Sequence, residues 1–319
     1  MKLAFVFPGQ GSQAVGMLHA LSAVYPIVRQ TFAEASSVLG YDLWSLVSQG
    51  PEEQLNATQH TQPAMLTAGV AVWRVWQQQG GPEPLVMAGH SLGEYTALVC
   101  ADAMAYTDAV ALVADRGRYM QEAVPAGQGG MAAILGLEDE QVRDICKRAA
   151  QGEVLQAVNY NSPGQIVVAG TAAAVARAVA QAKLTGAKHA LILPLSVPAH
   201  CALMHPAALR LAERLEKIPL RAPRIRVLHN VHVQAESEPA ALRAALVRQI
   251  EEPVRWVEII QKIAADGVDK LVECGPGRVL AGLNKRIVKT MQALPIYDTE
   301  NLNQALSQLG AAPASRTGV

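Results

Sequence analysis

Two short runs of uninterrupted apolar residues, each cut off by glycine, restrict most tightly what this chain can fold into. The first is Leu3-Ala4-Phe5-Val6-Phe7, closed by Pro8-Gly9, and the second is Leu85-Val86-Met87-Ala88, entered by Pro84 and closed by Gly89. A strand with one wet face alternates apolar and polar residues. These runs do not, so both read as strands buried on both faces. Helical spacing of apolar residues lies between and after them, at residues 14–21, 27–39, 62–79, 94–100 and 108–122; the third of these carries Leu66, Val70, Trp73 and Val75. Buried strands alternating with helices imply a parallel sheet with helices on both faces.

The pattern changes after a glycine-rich joint, Gly127-Gln128-Gly129-Gly130. Strands are expected at 131–135, 154–159, 165–169 and 189–193, and helices at 139–150 and 171–184. The turn Asn161-Ser162-Pro163-Gly164 joins the middle two strands. The order β-α-β-β-α-β is that of a ferredoxin-like unit. The chain then continues with a helix at 202–217, a strand at 225–228, helices at 240–249 and 256–265, a strand at 270–273 and a last helix at 279–289. The expected fold class is α/β: a parallel-sheet large domain built from residues 1–124 and 199–309, with a ferredoxin-like α+β subdomain inserted at 125–198. Residues 310–319 are small and polar, the composition of a disordered tail.

Bulk properties remove several classes of function. With 319 residues, 50% of them hydrophobic, the chain can bury a large core. Lys+Arg and Asp+Glu are both 27, so no global basic field exists to hold nucleic acid or an anionic membrane. The first apolar run is too short for a signal peptide, and no unbroken apolar stretch of about 18 residues marks a membrane span. Cys100, Cys146, Cys201 and Cys274 are far apart and form neither C-x-x-C nor a His/Cys cluster, which argues against a zinc site or a disulfide framework. A cytoplasmic protein without nucleic-acid or membrane partners is the expectation.

The second strand leads into Gly89-His90-Ser91-Leu92-Gly93, a G-x-S-x-G pattern, and a helix begins near Glu94. Strand before and helix after is the context of a nucleophile elbow. The turn is so sharp that side chains at the flanking positions would clash, hence the two glycines. The helix N-terminus offers free N–H groups and a positive dipole end to a developing oxyanion. The bland reading is an ordinary glycine-rich turn with a helix-capping serine. A nucleophilic serine needs a base, and the chain has eight histidines. His90 adjoins the serine, but neighbouring side chains at an elbow diverge. His200 follows Ser196-Val197-Pro198-Ala199, at the seam where the inserted segment returns to the large domain, and clefts form at such seams. Position alone singles it out without deciding it.

Pro8-Gly9-Gln10-Gly11-Ser12-Gln13 after the first strand imitates a relaxed dinucleotide fingerprint, with Glu34 at the expected distance. Glu34 falls inside a helical pattern instead of at the end of a second strand, so the βαβ unit is missing. The loop reads better as a neighbour of the elbow, bringing Gln10 or a backbone N–H to the serine's oxyanion.

Seven segments in chain order resemble the malonyl-CoA:acyl carrier protein transacylases and the acyltransferase domains of polyketide and fatty-acid synthases. They are Phe7-Pro8-Gly9-Gln10-Gly11-Ser12-Gln13, Gly89-His90-Ser91-Leu92-Gly93-Glu94-Tyr95, Arg116-Gly117-Arg118-Tyr119-Met120-Gln121, Asn159-Tyr160-Asn161-Ser162-Pro163, Val197-Pro198-Ala199-His200, Gln249 with Pro253-Val254-Arg255-Trp256, and Glu273-Cys274-Gly275-Pro276-Gly277. The resemblance implies a hydrolase-like large domain with a ferredoxin-like insertion. It implies Ser91 as nucleophile, His200 as base, Leu92 N–H and the Gln10 region as oxyanion hole, and Gln249 orienting His200 through its backbone carbonyl. It further implies Arg116 on the free malonyl carboxylate, with Met120 and Asn161 also on the substrate. Helical phase separates Arg116 from Arg118 by about 200° but does not choose between them; the resemblance picks Arg116. Relatives usually carry serine before the histidine, where this chain has Ala199, so one hydroxyl is missing from the pocket edge.

The implied reaction is ping-pong acyl transfer with coenzyme A thioester as substrate, an acyl carrier protein as acceptor and no bound cofactor. Stretches 284–289 and 221–226 are candidate contacts for an acidic carrier. Two alternatives share the elbow. A thioesterase or esterase of α/β-hydrolase type would want an acid between serine and histidine in the chain, where none is obvious. A malonyltransferase subunit of another malonate-processing complex would differ only in its carrier.

Overall fold

The structure is a computed structural model and describes residues 2–194 and 197–310; residues 311–319 of the expected tail, and Ser196 ahead of the His200 segment, lie outside the described residues. Its strands are β1 (Leu3–Phe7), β2 (Val86–Gly89), β3 (Gly129–Leu135), β4 (Leu155–Ser162), β5 (Gln165–Thr171), β6 (His189–Ile192), β7 (Arg226–Leu228), β8 (Lys270–Cys274) and β9 (Gln292–Ile296). Five of them form a parallel sheet in the order β7-β2-β1-β8-β9. The fold class is α/β.

Every residue of β1 is buried, as its uninterrupted apolar run requires. Its side chains alternate between two cores. Leu3, Phe5 and Phe7 belong to the larger cluster, which contains helix Thr58–Gln78. Phe5 meets Trp73 and Trp76 edge-on, with ring centroids 5.1 and 5.3 Å apart. Ala4 and Val6 face the opposite layer, where Trp256, Ile259 and Ile263 of helix Trp256–Ala265 pack.

The elbow follows from β2. A methyl group added to Gly89 would lie 1.8 Å from the Gly93 carbonyl carbon, and one added to Gly93 would lie 2.1 Å from the Phe7 carbonyl oxygen. Without side chains at these two positions, helix Gly93–Cys100 starts against the ends of β1 and β2. Ser91 sits between them in the left-handed region, φ 52°.

The remaining strands form an antiparallel sheet in the order β4-β5-β3-β6. Helices Asp139–Ala150 and Ala172–Leu184 pack on it around Ile134, Ile145, Val168 and Ala178. The two sheets meet through the segment after helix Pro239–Gln249. There Val254 donates its N–H to the Val158 carbonyl at 2.8 Å and accepts from Tyr160 N–H at 3.0 Å.

Several local expectations change. The last helix is Thr299–Leu309, not the one at 279–289, and β9 precedes it. Pro295 speaks against a strand, but β9 lies at the sheet edge and pairs only with β8, where a missing N–H does no harm. The helix is mostly polar and buries only Leu302, Ala305 and Leu309, under an Asp298 cap that accepts from Asn301 N–H at 2.8 Å. Helices Leu43–Gln49 and Glu52–Asn56 were also not expected. At the N-terminus, Gly16 and Leu18 hold left-handed backbone, so the helix expected over 14–21 begins only at His19. β4 runs through Asn161 to Ser162, which leaves Pro163-Gly164 as the turn. Glu34 lies in helix Pro26–Leu39 and forks with Arg74 at 2.8 and 3.1 Å, which leaves nothing of a dinucleotide site.

The clash geometry predicts opposite outcomes for two glycines. Gly93→Ala drives a methyl group into backbone and is expected to destabilise by at least about 1–3 kcal/mol, the usual overpacking cost. Gly282→Ala adds a methyl that meets nothing within 4 Å, inside helix Val279–Ile287. It is expected to be neutral or stabilising by about 0.5–1 kcal/mol. Urea unfolding of the two variants checks this, and a Gly93→Ala protein as stable as the parent would contradict the packing described.

Candidate active site

Ser91 and His200 lie 109 positions apart in the chain and meet at the seam between the sheets. Ser91 Oγ is 2.7 Å from His200 Nε2, and His200 Nδ1 is 2.7 Å from the backbone carbonyl oxygen of Gln249. A carbonyl only accepts, so Nδ1 carries the proton and Nε2 offers its lone pair to the serine hydroxyl. That is the tautomer a general base needs. The histidine backbone is itself left-handed, φ 64°, and is held by an N–H donated to the Ile250 carbonyl at 3.1 Å. Ser91 and His200 thus both occupy backbone conformations costing of order 1–3 kcal/mol each.

Burial is the main cause that pushes the His200 imidazole down to about 3, and the Arg116 guanidinium adds to it; the bond to the Gln249 carbonyl opposes both. His90 is also lowered by burial, against its bond to Asn161.

Arg116 comes from the inner face of helix Tyr106–Ala123 and is 1% exposed. Arg118 points outward and pairs with Asp115 at 2.7 Å, so helical phase separates the two as expected. No carboxylate faces Arg116 among the described residues. Its Nη1 donates to Gln62 Oε1 at 2.8 Å and its Nη2 to Gln249 Oε1 at 3.0 Å, while Nε has no partner. Nη2 also lies 3.5 Å from Ser91 Oγ, and the guanidinium carbon sits 5.3 Å from the Tyr95 ring centre. A buried cation held by two neutral amides, with one N–H unmet, stands beside Ser91.

Gln249 is fully buried and touches every member of this group. Its carbonyl holds His200, its amide oxygen holds Arg116, and its amide nitrogen donates to the Ser91 carbonyl at 2.8 Å. An inner cavity of about 70 Å³ is lined by Ser91, His200, Arg116, Gln10, Leu92 and Met120, with Ala199 also on its wall. The backbone N–H groups of Gln10 and Leu92 make no hydrogen bond among the described residues. Asn161 is not in this cavity. It lines an outer chamber of about 440 Å³ with Gln10, Asn159 and Leu283, and its Oδ1 lies 2.8 Å from His90 Nε2.

Two groups escaped the sequence reading. Gln62 shares the Arg116 fork, and the signal was a glutamine set among apolar neighbours of a buried helix. Asn230 bonds the elbow itself: Ser91 N–H donates to Asn230 Oδ1 at 2.8 Å. Nothing around Asn230 in the chain marks it. Of the two basic stretches, 221–226 is engaged through Arg224 on Glu83 and Asp102 and Arg226 on Asp266, while Arg221 forms no ion pair among the described residues. In the other, Arg286 donates to Gln165 at 2.8 Å, while Lys285 and Lys289 form no ion pair among the described residues. The four cysteines are free and buried, no group of three metal-ligating side chains occurs among the described residues, and no described helix is long and apolar enough to cross a membrane.

A serine hydroxyl within hydrogen-bond reach of a histidine lone pair, with two N–H groups that meet no partner among the described residues, is an arrangement that can support acyl transfer. The model of the acyl transferase domain matches residues 4–308. A malonyl CoA-acyl carrier protein transacylase of Salmonella typhimurium is 58% identical over 307 residues, covering 96% of this chain and 99% of that protein. The chain belongs to this transacylase family. The Bacillus subtilis member is 42% identical over 309 residues, 97% of each chain. Among solved structures, the transacylase from Coxiella burnetii superposes with a TM-score of 0.96 at 52% identity, covering 97% of this chain and 98% of that one. A malonyl-transacylase in complex with its type II PKS acyl-carrier protein also gives 0.96, at 56% identity over 97% of this chain and 100% of that one.

The lowered His200 imidazole sets an expectation for the acid side of the pH profile of Ser91 labelling. A histidine of ordinary pKa, about 6.5, loses half its activity there. The labelling rate of Ser91 by an uncharged serine reagent is instead expected to persist well below pH 6, since His200 stays unprotonated. Arg116→Gln is expected to move the acid limb upward. Stability follows the same sign: as pH falls from about 6.5 toward 3, the unfolded chain binds a proton that folded His200 refuses, so the fold weakens. A wild-type limb near 6.5 would contradict this environment.

Proposed function

We propose that this chain moves a malonyl group from coenzyme A to the pantetheine thiol of an acyl carrier protein, with Ser91 carrying the group as an ester between the two thiols. The observation that carries the choice of acyl group is Arg116, a buried guanidinium beside the nucleophile with no carboxylate to answer it among the described residues. An uncompensated buried cation is costly. The free carboxylate of a malonyl group completes it, and an acetyl group has none to offer.

The steps follow from the geometry. Ser91 Oγ attacks the thioester carbonyl and His200 Nε2 takes its proton. The oxyanion lies between the N–H groups of Leu92 and Gln10. Collapse breaks the carbon–sulfur bond, and the departing thiolate of coenzyme A takes the proton from His200. The carrier thiol then gives its proton to His200 and attacks the ester, and Ser91 leaves and recovers its proton. One thioester is exchanged for another, and the atoms balance with these groups alone, so no metal or redox cofactor is invoked. Gln249 orients His200 through its carbonyl, where a hydrolase would place a carboxylate. That contact supports transfer over hydrolysis. Met120 walls the inner cavity. Asn161 acts from the outer chamber, on the part of the substrate farther from the ester.

The strand order and antiparallel pairing of β4-β5-β3-β6 support reading residues 125–198 as a ferredoxin-like insertion in a hydrolase-like large domain made of residues 1–124 and 199–309. Four separate buried thiols suit a reducing cytoplasm.

Brief exposure to malonyl-CoA is expected to add one malonyl group per chain, on Ser91, and intact-mass spectrometry of Ser91→Ala should show none; an adduct mapped to a cysteine sinks the mechanism. His200→Ala should slow acylation by roughly 10²–10⁴. Arg116→Ala is expected to lower malonyl transfer at least about 10–100-fold, the value of a charged hydrogen-bonding partner. It should also let acetyl-CoA compete better, with Arg118→Ala as the silent control. kcat/KM for both thioesters measures this, and an unchanged malonyl-to-acetyl ratio in Arg116→Ala rules out the role.

A further inference from the structure

The elbow is held from outside by a residue that no step of the reaction uses. Asn230 stands just beyond β7, which pairs with β2 through Ala88 and Leu228, so the two strands deliver Asn230 beside the turn. Its side-chain amide spans the elbow: Oδ1 accepts from Ser91 N–H at 2.8 Å and Nδ2 donates to the Gly89 carbonyl at 2.7 Å. Its own backbone N–H donates to Glu94 Oε2 at 2.8 Å. Glu94 lies in the first turn of the helix that the elbow opens, is fully buried, and takes His229 Nδ1 on its other oxygen at 2.8 Å. The bonds close a ring from the strand end through Ser91 and Asn230 to the helix.

We propose that Asn230 is a positioning residue for the nucleophile. The inference rests on Ser91 being the acylated residue. A serine in the left-handed region is under strain, and alternative turns of lower energy are open to it. The ring removes those alternatives, because only one elbow geometry presents Gly89 O and Ser91 N–H to the same amide. It also takes up the Ser91 N–H, which leaves Leu92 N–H as the elbow's free donor for the oxyanion. Only a carboxamide serves, since the site needs one acceptor and one donor on one planar group. Aspartate keeps the acceptor but sets a carboxylate oxygen against the Gly89 carbonyl.

The test is the rate at which a fluorophosphonate labels Ser91, the serine oxygen displacing fluoride at phosphorus. The reaction needs a positioned, deprotonated serine and makes no use of the malonyl pocket. Rates are taken on folded protein and normalised to the sites finally labelled, so loss of stability alone does not move them. Asn230→Asp and Asn230→Ala are expected to label about 10–100-fold more slowly per site, the effect of one or two lost hydrogen bonds. With malonyl-CoA, kcat should fall in parallel while KM stays close to the parent's. Asn230→Ser replaces any variant that does not fold, with the same outcomes read. A parental labelling rate in folded variants, or a raised KM with labelling unchanged, overturns the proposal. Absence of Ser91 labelling in the parent protein fails the nucleophile assignment instead.

Discussion

The close approach of bare backbone at Gly89 and Gly93 is the contact on which the rest of this site depends. Because neither residue carries a side chain, the helix after β2 starts against the end of β1, and Ser91 is pushed out at the carboxyl end of the sheet. Every later feature uses that placement. Leu92 N–H is free because it opens the helix, and Gln10 is near because β1 is the next strand. Asn230 is near because β7 lies on the other side of β2. Strain at Ser91 is tolerated because hydrogen bonds from two neighbouring segments, at Asn230 and Gln249, hold the turn.

A second constraint is electrostatic. One buried guanidinium sits beside a histidine that burial keeps neutral, and Gln249 bonds both with uncharged amide groups. Gln249 is the key to this arrangement. A carboxylate in its place would pair with Arg116, fill the fork, and raise the proton affinity of His200. The neutral amide holds the arginine in position yet leaves its charge without a carboxylate partner among the described residues. It also holds the imidazole by a carbonyl that fixes the tautomer without adding negative charge. The Nε of Arg116, buried and unmet, belongs to the same arrangement.

The site is also a seam. Ser91 and Arg116 come from the elements around the parallel sheet, while Asn161 comes from the antiparallel one. His200 arrives in a turn of the segment that returns from the antiparallel sheet, and Val254 ties the two sheets by backbone bonds to β4. The inner cavity and the outer chamber are both lined from the two sides of this boundary, a small space beside a wider one.

Local sequence determined whatever depends on neighbours in the chain. The uninterrupted apolar runs specified strands buried on both faces. The two glycines specified the elbow. The 3.6-residue period put Arg116 and Arg118 on opposite sides of a helix, because these features follow from backbone sterics and side-chain direction. β9 and helix Thr299–Leu309 were not legible, since a proline and a polar helix are tolerated there only by an edge position and by packing against a finished sheet. Motif resemblance named Ser91, His200, Arg116 and Gln249, but not what surrounds them. Tertiary structure alone decided that Gln62 would share the arginine, that Asn161 would face an outer chamber, and that Asn230 would clamp a turn 139 positions away in the chain. Those pairings come from strands and helices brought together by burial of apolar surface, and hydrogen-bond partners so distant in the chain leave no periodic trace in it.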